Sequence, residues 1–324
     1  MSSAVSVTGL RKAYGKLVVL DGIDLDVAGG TIFGLLGPNG AGKTTTVEIL
    51  TTLQHPDAGN ALVAGHDLAK DPNGVRSAIG VTGQFSAIDN MLTGEENLGM
   101  MADLRHLGKG ERRRRVAELL DRFDLVDASK RLVVTYSGGM RRRLDLAMTL
   151  VGSPRIIFLD EPTTGLDPRS RHTMWQIIRE LVADGVTIFL TTQYLDEADQ
   201  LADRIAVLNG GKLVAAGTPD ELKQLVPGSH IRLQFADPVR LDEAARRLGT
   251  GAGARDDDAL ALNVPSDGGV RSLKALLDRL DHESIEVDGL SVHTPDLDDV
   301  FFALTANVPG PRSADALATK DGAR

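Results

Sequence analysis

The sequence predicts an α/β fold followed by a second, smaller α+β domain. Two apolar runs, RIIFLDEP at 155–162 and VTIFLTT at 186–192, enclose the amphipathic segment MWQIIRELVAD, a pattern typical of parallel strands joined by a crossover helix. A glycine-rich loop at 37–44 lies between an apolar strand and a helix, and after residue 227 shorter strand candidates alternate with helix candidates. A chain of 324 residues has room for two domains of about 150 residues each.

Composition narrows the class of protein. Lysine and arginine total 36 against 45 aspartate and glutamate residues, a net charge of −9, so we expect no nucleic-acid binding through overall charge. The chain has no cysteine, which excludes disulfides, thiolate zinc sites and a cysteine nucleophile. Its apolar runs, such as LVVL at 17–20, are far shorter than the ~20 residues that cross a bilayer. We therefore expect a cytosolic protein without direct membrane insertion.

Residues 1–223 form the first predicted domain, and its elements follow from the hydrophobic period of each segment. Charged, helix-favouring sequence from about 93 to 150 predicts a helical subdomain inserted between β-rich parts. The other predicted elements are β segments at 6–10, 16–27 and 31–37, a helix after Lys43, a strand at 61–65, and strands at 155–162 and 186–192 that flank a crossover helix.

Residues 224–306 form the second predicted domain, a small β-α-β-α-β unit. Its predicted strands are 230–236, 259–265 and 284–295, its helices are 240–248 and 270–282, and GTGAGARDDD at 249–258 is predicted as an exposed loop. The segment 307–324 is rich in Pro, Gly, Ala and charge, and we expect it to be disordered because it has too little apolar content to pack.

The segment GPNGAGKT at 37–44 matches the phosphate-binding motif G-x-x-x-x-G-K-[ST], with the required strand before it and helix after it. Glycine lets the backbone turn its N–H groups toward phosphate oxygens, and the helix start adds the positive end of its dipole. The lysine reaches the β- and γ-phosphates, and the next hydroxyl ligates Mg²⁺. The residues assigned to the nucleotide are Gly37, Pro38, Asn39, Gly40, Ala41, Gly42, Lys43, Thr44 and Thr45, with Thr44 also assigned to the metal.

Asp160 and Glu161 end the apolar run IIFLDE, and the carboxyl end of a buried strand is where an α/β fold places its chemistry. We predict that Asp160 holds Mg²⁺ through water and that Glu161 accepts a proton from the attacking water. The alternative is that one or both carboxylates cap the turn at Pro162. These two motifs alone leave kinases, GTPases and many ATPases open.

The segment YSGGMRRRLDLAMTL at 136–150 narrows that choice. Residues 1–223 resemble the ATP-binding cassette of ABC transporters, with the family's motifs in the family's order. The resemblance implies a P-loop NTPase fold with a RecA-like core, an antiparallel β part and the helical subdomain. It also implies ATP and Mg²⁺ as cofactors, and a homodimer with ATP at its interface. In that dimer Ser137, Gly138 and Gly139 of one copy bind the γ-phosphate held by the other.

The same resemblance assigns three further residues. Gln84 matches the glutamine that touches Mg²⁺ and senses the membrane partner, and Tyr14 matches the aromatic residue that stacks on adenine. Asp167, in TGLD, matches the key carboxylate of the dimer-contact loop.

Some positions depart from the family pattern. Tyr136 and Met140 replace the outer residues of the usual LSGGQ signature, but its serine and glycines remain. Gln193 stands where the family places a histidine that contacts the γ-phosphate. A neutral amide can donate a hydrogen bond but cannot become cationic. We therefore predict that Gln193 is a weaker replacement, with loss of this contact as the alternative.

The end of the second domain indicates a substrate class. LDDVFFALT at 297–305 resembles a C-terminal motif of cassettes that export hydrophobic drugs, the daunorubicin/doxorubicin resistance ATP-binding protein family. The same residues also suit an amphipathic closing helix. The resemblance implies an ATPase at the cytoplasmic face of the cell membrane, which powers export through a separate polytopic permease. The alternatives are a soluble ABC ATPase acting on ribosomes or DNA, and a regulator that binds ATP without significant turnover.

We expect the basic runs and the single tryptophan to have structural roles and not to bind ligands. The basic runs at 112–115 and 141–143 lie next to acidic residues, which predicts solvated helix faces or interdomain ion pairs rather than a nucleic-acid site. Trp175 lies on the amphipathic crossover helix, and we therefore expect its side chain to pack in the core rather than to stack on a ligand.

Overall fold

The computed structural model describes residues 3–83, 87–226, 228–249, 253–267 and 269–305. Its contacts divide the chain into two compact units, one comprising the residues up to Pro219 with those from Leu304 onward, and the other Asp220–Ala303. The segment predicted to be disordered, 307–324, lies outside the described residues.

The first unit contains two sheets. Its strands are β1 (Ser3–Tyr14), β2 (Leu17–Ala28), β3 (Ile32–Leu36), β4 (Ala58–Val63), β5 (His66–Asp67), β6 (Ile79–Thr82), β7 (Ile156–Asp160), β8 (Thr187–Thr192), β9 (Arg204–Asn209) and β10 (Lys212–Gly217). One sheet has the order β2-β1-β4-β5 and is antiparallel, and the other has the order β10-β9-β3-β8-β7-β6. In the second sheet all neighbours are parallel except β9 and β10. The predicted α/β class is confirmed.

The central strands of the six-stranded sheet are buried along their whole length. Every residue of β3, β7 and β8 is buried, as expected for parallel strands covered on both faces. The ring of Phe189 lies 5.3 Å from the rings of both Phe33 and Phe158, measured between centroids. One aromatic row therefore joins three neighbouring strands and keeps their carboxyl ends in register.

The helices of the first unit pack against this sheet or against one another. They are α1 (Lys43–Leu50), α2 (Pro72–Ala78), α3 (Gly94–Leu104), α4 (Lys109–Arg122), α5 (Gly138–Leu150), α6 (Pro168–Ala183) and α7 (Leu195–Leu201), and α8 (Pro219–Lys223) follows at the boundary between the units. A capping box starts α3: the hydroxyl of Thr93 accepts from Glu96 N at 3.2 Å, and Glu96 Oε2 accepts from Thr93 N at 2.8 Å. These two hydrogen bonds fix the start of α3 at Thr93.

The second unit is a four-stranded antiparallel sheet with its own core. Its elements are β11 (His230–Gln234), α9 (Pro238–Leu248), β12 (Ala254–Asp256), β13 (Ala261–Pro265), α10 (Val270–His282), β14 (Gly289–His293) and most of α11 (Leu297–Thr305). The strand order is β12-β13-β11-β14. Leu233, Leu241 and Leu280 belong to one hydrophobic cluster that joins the sheet to α9 and α10.

Two predictions for this unit were wrong in detail. The predicted loop at 249–258 contains β12, in which Arg255 pairs with Leu262 of β13. A short edge strand can be held by backbone pairing on a neighbour and needs no apolar pattern of its own. The strand predicted at 284–295 spans only Gly289–His293. The first residue of the predicted strand, Ser284, has a φ of 52°, a left-handed conformation that does not fit a strand.

The closing helix α11 is amphipathic, as predicted. Leu297 and Val300 are 3% and 1% exposed, whereas Phe302 is 69% exposed. Across the ranges that the structure describes, none of the helices is both long and apolar enough to span a bilayer.

Candidate functional site

The carboxyl ends of β3, β8 and β7 lie side by side at one edge of the six-stranded sheet, because these neighbours are parallel. β3 leads into the glycine-rich loop, β7 ends at Asp160 and β8 ends at Thr192. The topology therefore brings Thr44 into hydrogen-bond contact with Asp160, 116 positions away in the sequence.

Two glycines shape the loop before α1. Gly42 is the N-cap of α1 and has a φ of 108°, a conformation that an L side chain adopts only with strain. A Cβ on Gly37 would lie 2.4 Å from the carbonyl oxygen of Leu208, so only glycine lets the loop pass β9 this closely. Of the other loop residues, Ala41 is buried, Pro38 and Thr45 are half-buried, and Asn39, Gly40 and Thr44 are exposed.

The ammonium of Lys43 lies inside this loop. The residue is 5% exposed, and Nζ donates to the carbonyl oxygens of Gly37 at 2.7 Å and Pro38 at 3.2 Å. Nζ also lies 3.8 Å from Glu161 Oε1. Burial lowers the pKa of Lys43, while the carboxylates of Glu161 and Asp160 act in the opposite direction. A cation this poorly solvated has a strong attraction for an anionic ligand.

Asp160 is 3% exposed and is contacted by hydroxyls from two other elements. Thr44 Oγ1, at the start of α1, donates to Asp160 Oδ2 at 3.1 Å. Thr191 Oγ1, near the end of β8, donates to Asp160 Oδ1. The result is a group of hard oxygen atoms directly beside the phosphate-binding loop.

Glu161 follows β7 in a left-handed conformation, with a φ of 47°. Its backbone N donates to the carbonyl oxygen of Thr191 at 3.1 Å. On the side chain, Oε2 accepts from Thr164 Oγ1 at 3.2 Å and from Gln193 Nε2 at 3.3 Å. The structure therefore places Gln193 against Glu161, and both carboxylate oxygens of Glu161 face polar partners of the predicted site.

The residues predicted to act at a dimer interface lie at two helix starts. Ser137 caps α5, its Oγ accepting from Met140 N at 3.3 Å, and Ser137 and Gly138 are exposed. Asp167 caps α6, accepting from Ser170 N at 3.0 Å and from Ser170 Oγ at 2.6 Å. These two bonds from Ser170 lower the pKa of the Asp167 carboxyl.

The two helix starts are close to each other. A Cβ on Gly139 would lie 2.6 Å from the hydroxyl of Ser170. A cavity of about 270 Å³ adjoins this contact, and its lining includes Gly138, Arg142, Glu161 and Thr164. The start of α5 and the carboxylate after β7 therefore share one cavity.

Tyr14 lies at the end of the β1–β2 hairpin, opposite Leu17, and is 46% exposed. The hairpin borders the phosphate-binding loop, since a Cβ on Gly42 would lie 2.7 Å from Leu20 Cδ2 of β2. Lys12 Nζ lies 5.4 Å from the centroid of the Tyr14 ring. Gln84, the other residue assigned from the resemblance, lies outside the described residues.

A buried glutamate next to the site was not singled out from the sequence. Glu197 is fully buried, and its Oε1 accepts from Thr163 Oγ1 at 2.8 Å and from Trp175 Nε1 at 3.2 Å. Burial raises the pKa of Glu197, and hydrogen bonds from neighbouring side chains oppose that effect. Trp175 was predicted to lie in the core. It is half-buried, and its indole N–H also donates to Glu197.

Sequence reasoning also missed Thr191 and misjudged Arg142. Thr191 had a usable signal, because it stands at the end of a parallel strand, where side chains converge on the site. The prediction that residues 141–143 form a solvated face or interdomain ion pairs was wrong for Arg142, whose side chain is 15% exposed and pairs with Asp145 of its own helix. Its other acceptors include the carbonyls of residues 160–162, so the sequence gives no local signal for its burial.

Comparisons with known proteins show which family the chain is related to. The sequence profile of the family described as ABC transporter matches residues 20–164. The chain is 48% identical over 321 residues to the daunorubicin/doxorubicin resistance ATP-binding protein DrrA of Streptomyces peucetius, covering 98% of this chain and 97% of that protein. It is 46% identical over 311 residues to the doxorubicin resistance ATP-binding protein DrrA of Mycobacterium tuberculosis, covering 94% of each.

A solved structure shares the fold. A dimeric ATP-binding cassette in a post-hydrolysis state, bound to ADP and phosphate, is 25% identical with a TM-score of 0.60, covering 66% of this chain and 98% of that chain. The resemblance found in the sequence is confirmed, and the chain belongs to the family of ATP-binding subunits of ABC transporters.

Proposed function

We propose that this chain binds and hydrolyses ATP to power export of a hydrophobic drug through a separate membrane permease. The observation that carries the proposal is the meeting of Lys43, Glu161 and the Thr44–Asp160 pair at one sheet edge. The identity to drug-resistance ATP-binding proteins extends over nearly the whole of both chains, so it includes the second unit as well as the cassette. That full-length match supports drugs as the substrate class.

The glycine-rich loop binds the triphosphate. Backbone N–H groups of 37–45 and the positive end of α1 surround the phosphates, and Lys43 exchanges its two loop carbonyls for β- and γ-phosphate oxygens. Thr44 and Asp160 would hold Mg²⁺ next to them. Their hydroxyl and carboxylate oxygens suit this hard cation, which binds through one or two carboxylates plus substrate phosphates. Mg²⁺ would neutralise charge on the phosphates, and Gln84 is proposed as a further contact to it.

Glu161 is the general base. Its carboxylate lies beside the Lys43 ammonium and accepts a proton from the water that attacks the γ-phosphate. Gln193, hydrogen-bonded to Glu161, is placed to orient that carboxylate and to donate to the γ-phosphate. Tyr14, exposed on the hairpin that borders the loop, stacks on adenine.

A second copy of the chain completes each site. The exposed start of α5 offers the N–H groups of Gly138 and Gly139 to an anion. The Ser137 hydroxyl accepts from Met140 N, which leaves its own hydrogen free to donate to a γ-phosphate in the partner's loop. Asp167, on the neighbouring helix start, contacts the partner copy. ATP then stabilises the closed dimer by mass action.

The permease contact is proposed at a groove whose lining includes Ala87 and Met101 of α3. A cavity of about 530 Å³ there is lined by Leu53, Ala87, Met101 and Arg105, among others. This lining combines apolar side chains with Arg76 and Arg105, which suits a short amphipathic helix from the permease. This contact would hold the chain at the cytoplasmic face of the membrane. Action on ribosomes or DNA is not favoured, because the chain carries a net charge of −9 and its full-length relatives are drug-resistance proteins.

The test is the Glu161→Gln variant with its permease in the presence of Mg·ATP. Loss of the base should slow phosphate release on the order of 10²- to 10⁴-fold while ATP binding persists, so the variant accumulates as a dimer by light scattering. Cells carrying the variant should retain more daunorubicin than cells carrying the parent chain. Glu180→Gln, an exposed substitution on α6, should change none of these measurements.

Two outcomes would contradict the proposal. Phosphate release at the parental rate would remove Glu161 as the base. A strictly monomeric Glu161→Gln variant, with saturating Mg·ATP and the permease present, would remove the shared site.

A further inference from the structure

Arg142 is a nearly buried cation that no part of the proposed mechanism uses. It lies on α5, and its guanidinium contacts both its own helix and the loop after β7. Nε donates to Pro162 O at 2.7 Å, and Nη2 donates to the carbonyl oxygens of Asp160 at 3.3 Å and Glu161 at 3.4 Å. Nη1 donates to Asp145 Oδ2 at 3.2 Å and reaches Gly83 O at 3.5 Å. All three guanidinium nitrogens of Arg142 therefore donate hydrogen bonds.

The acceptors of this guanidinium lie at strand ends that meet at the site. Three of them are the carbonyls of consecutive residues, 160–162, at the end of β7. The middle one belongs to Glu161, whose φ of 47° is a strained conformation for a residue that carries a side chain. Such a conformation persists only where surrounding contacts hold it. The fourth carbonyl, of Gly83, directly precedes Gln84.

The neighbouring arginines on α5 are bonded elsewhere. Arg143 donates to Phe123 O at 2.9 Å and to Asp124 Oδ2 at 2.9 Å, and Arg141 donates to Val134 O at 2.8 Å. Burial lowers the pKa of Arg142, and the Asp145 carboxylate acts against that change, so the helix itself supplies the counter-charge. Within this run, Arg142 is the arginine aimed at the loop that carries the two acidic site residues.

We propose that Arg142 is a positioning residue, which fixes the backbone of 160–162 so that the Glu161 carboxylate faces the γ-phosphate. The proposal rests on the role of Glu161 as general base. The planar fork of arginine can serve several carbonyls at once, whereas the point charge of lysine cannot. Because α5 begins at Ser137, one helix carries both the group offered to the partner's nucleotide and the arginine that holds the chain's own base. Closure on the partner's ATP is thereby linked to the geometry of hydrolysis.

The first test compares Arg142→Lys with Arg143→Lys in the full chain with its permease. Arg142→Lys keeps a charge for Asp145 but loses the fork, so we expect kcat for ATP hydrolysis to fall on the order of 10- to 100-fold. The KM for ATP should change by less than about threefold, since the phosphate-binding loop is untouched. Arg143→Lys should leave both constants near the parental values. Equal losses in the two variants would overturn the proposal, because they would indicate a general effect on α5.

The second test is a double-mutant cycle with Glu161→Gln. If Arg142 acts through Glu161, adding Arg142→Lys to Glu161→Gln should not lower the residual rate further. A general loss of folded protein would lower the rate by the same factor in both backgrounds, and that result would overturn the proposal. Titration with a fluorescent ATP analogue gives the binding-competent fraction in every variant, so that rates are compared per folded site.

The cycle also separates this proposal from the proposed function. If Glu161→Gln hydrolyses ATP at the parental rate, Glu161 is not the base and both ideas fall. If Glu161→Gln is inactive while Arg142→Lys has a parental kcat, only the positioning role falls.

Discussion

The two units of the chain differ in what they bury. Within the described ranges, every buried polar or charged side chain belongs to the first unit: Lys43, Thr46, Thr51, Thr82, Asn97, Asp145, Asp160, Thr163, Thr187, Thr191, Thr192 and Glu197. The buried side chains of the second unit are apolar. Its ion pairs are exposed, as between Arg240 and Glu286, which are 46% and 81% exposed.

The first unit buries charged and polar residues of the candidate site, whereas the second unit, in its described residues, buries only an apolar core. Burying an ammonium or a carboxylate costs free energy that only good pairing offsets, and Lys43, Asp160 and Glu197 all carry this cost. The second unit avoids it, and its exposed pairs contribute little to stability. We therefore expect substitutions in the two units to fail in different ways, the first in nucleotide chemistry and the second in folding.

The largest expected effect is the loss of ATP binding in Lys43→Ala. The ammonium makes charge-assisted bonds to the β- and γ-phosphates, each worth about 1.5 to 3 kcal/mol, so affinity should fall by at least tenfold. Isothermal titration calorimetry with Mg·ATP measures this change. Lys70→Ala, which removes an 85% exposed ammonium from the same unit, is the control and should bind normally. Parental affinity in Lys43→Ala would mean that the loop does not hold the triphosphate.

A smaller effect, confined to folding, is expected for Leu233→Ala in the second unit. Leu233 is fully buried in that unit's core, and truncating such a side chain costs about 2–5 kcal/mol. The urea-unfolding transition that reports on this unit should move to lower concentration, while ATP affinity stays unchanged. Val239→Ala, at a 71% exposed position, should leave the transition in place. A loss of ATP binding in Leu233→Ala would contradict the division of roles.

Features of the fold and the site that depend on local sequence patterns were predictable from the sequence. The phosphate-binding loop, Asp160 and Glu161 were placed correctly at one sheet edge, because a strand, a glycine-rich loop and a helix form a local pattern with a fixed geometry. Several elements around the two motifs and most elements of the second unit were predicted from hydrophobic period, whereas β6, β9, β10 and the polar strand β12 were not. That strand exists through its pairing with Leu262 and its neighbours, a contact that no local pattern encodes.

Other features depend on contacts between distant segments. Nothing in the run of arginines at 141–143 distinguishes Arg142, because its carbonyl acceptors lie 18 to 20 residues further along the chain and, for Gly83, 59 residues earlier. The burial of Glu197 likewise follows from Thr163 and Trp175. The roles of Tyr14, Gln84 and Gln193, and the domain limits at 223 and 306, remain predictions from the sequence.

The smallest expected effect is a change in the pH dependence of stability in Glu197→Gln. Burial raises the pKa of Glu197 above its ordinary value of 4.5, so the folded chain holds this proton more tightly than the unfolded chain does. The stability that Glu197 contributes is therefore fully present below pH 4.5, and it is lost as pH rises through the raised pKa of the folded state. A glutamine removes this dependence, because its carbonyl still accepts from Thr163 and Trp175 but carries no charge at any pH.

Thermal unfolding of the parent chain and the variant over a pH series measures this difference. The Tm of Glu197→Gln should rise relative to the parent as pH increases above 4.5, by a few degrees, since a domain of about 200 residues gains roughly 2–4 °C per kcal/mol. Glu180→Gln, on the exposed face of α6, should follow the parent at every pH. A Tm difference between Glu197→Gln and the parent that stays constant with pH would contradict this prediction. It would mean that the buried carboxyl keeps one protonation state at every pH tested.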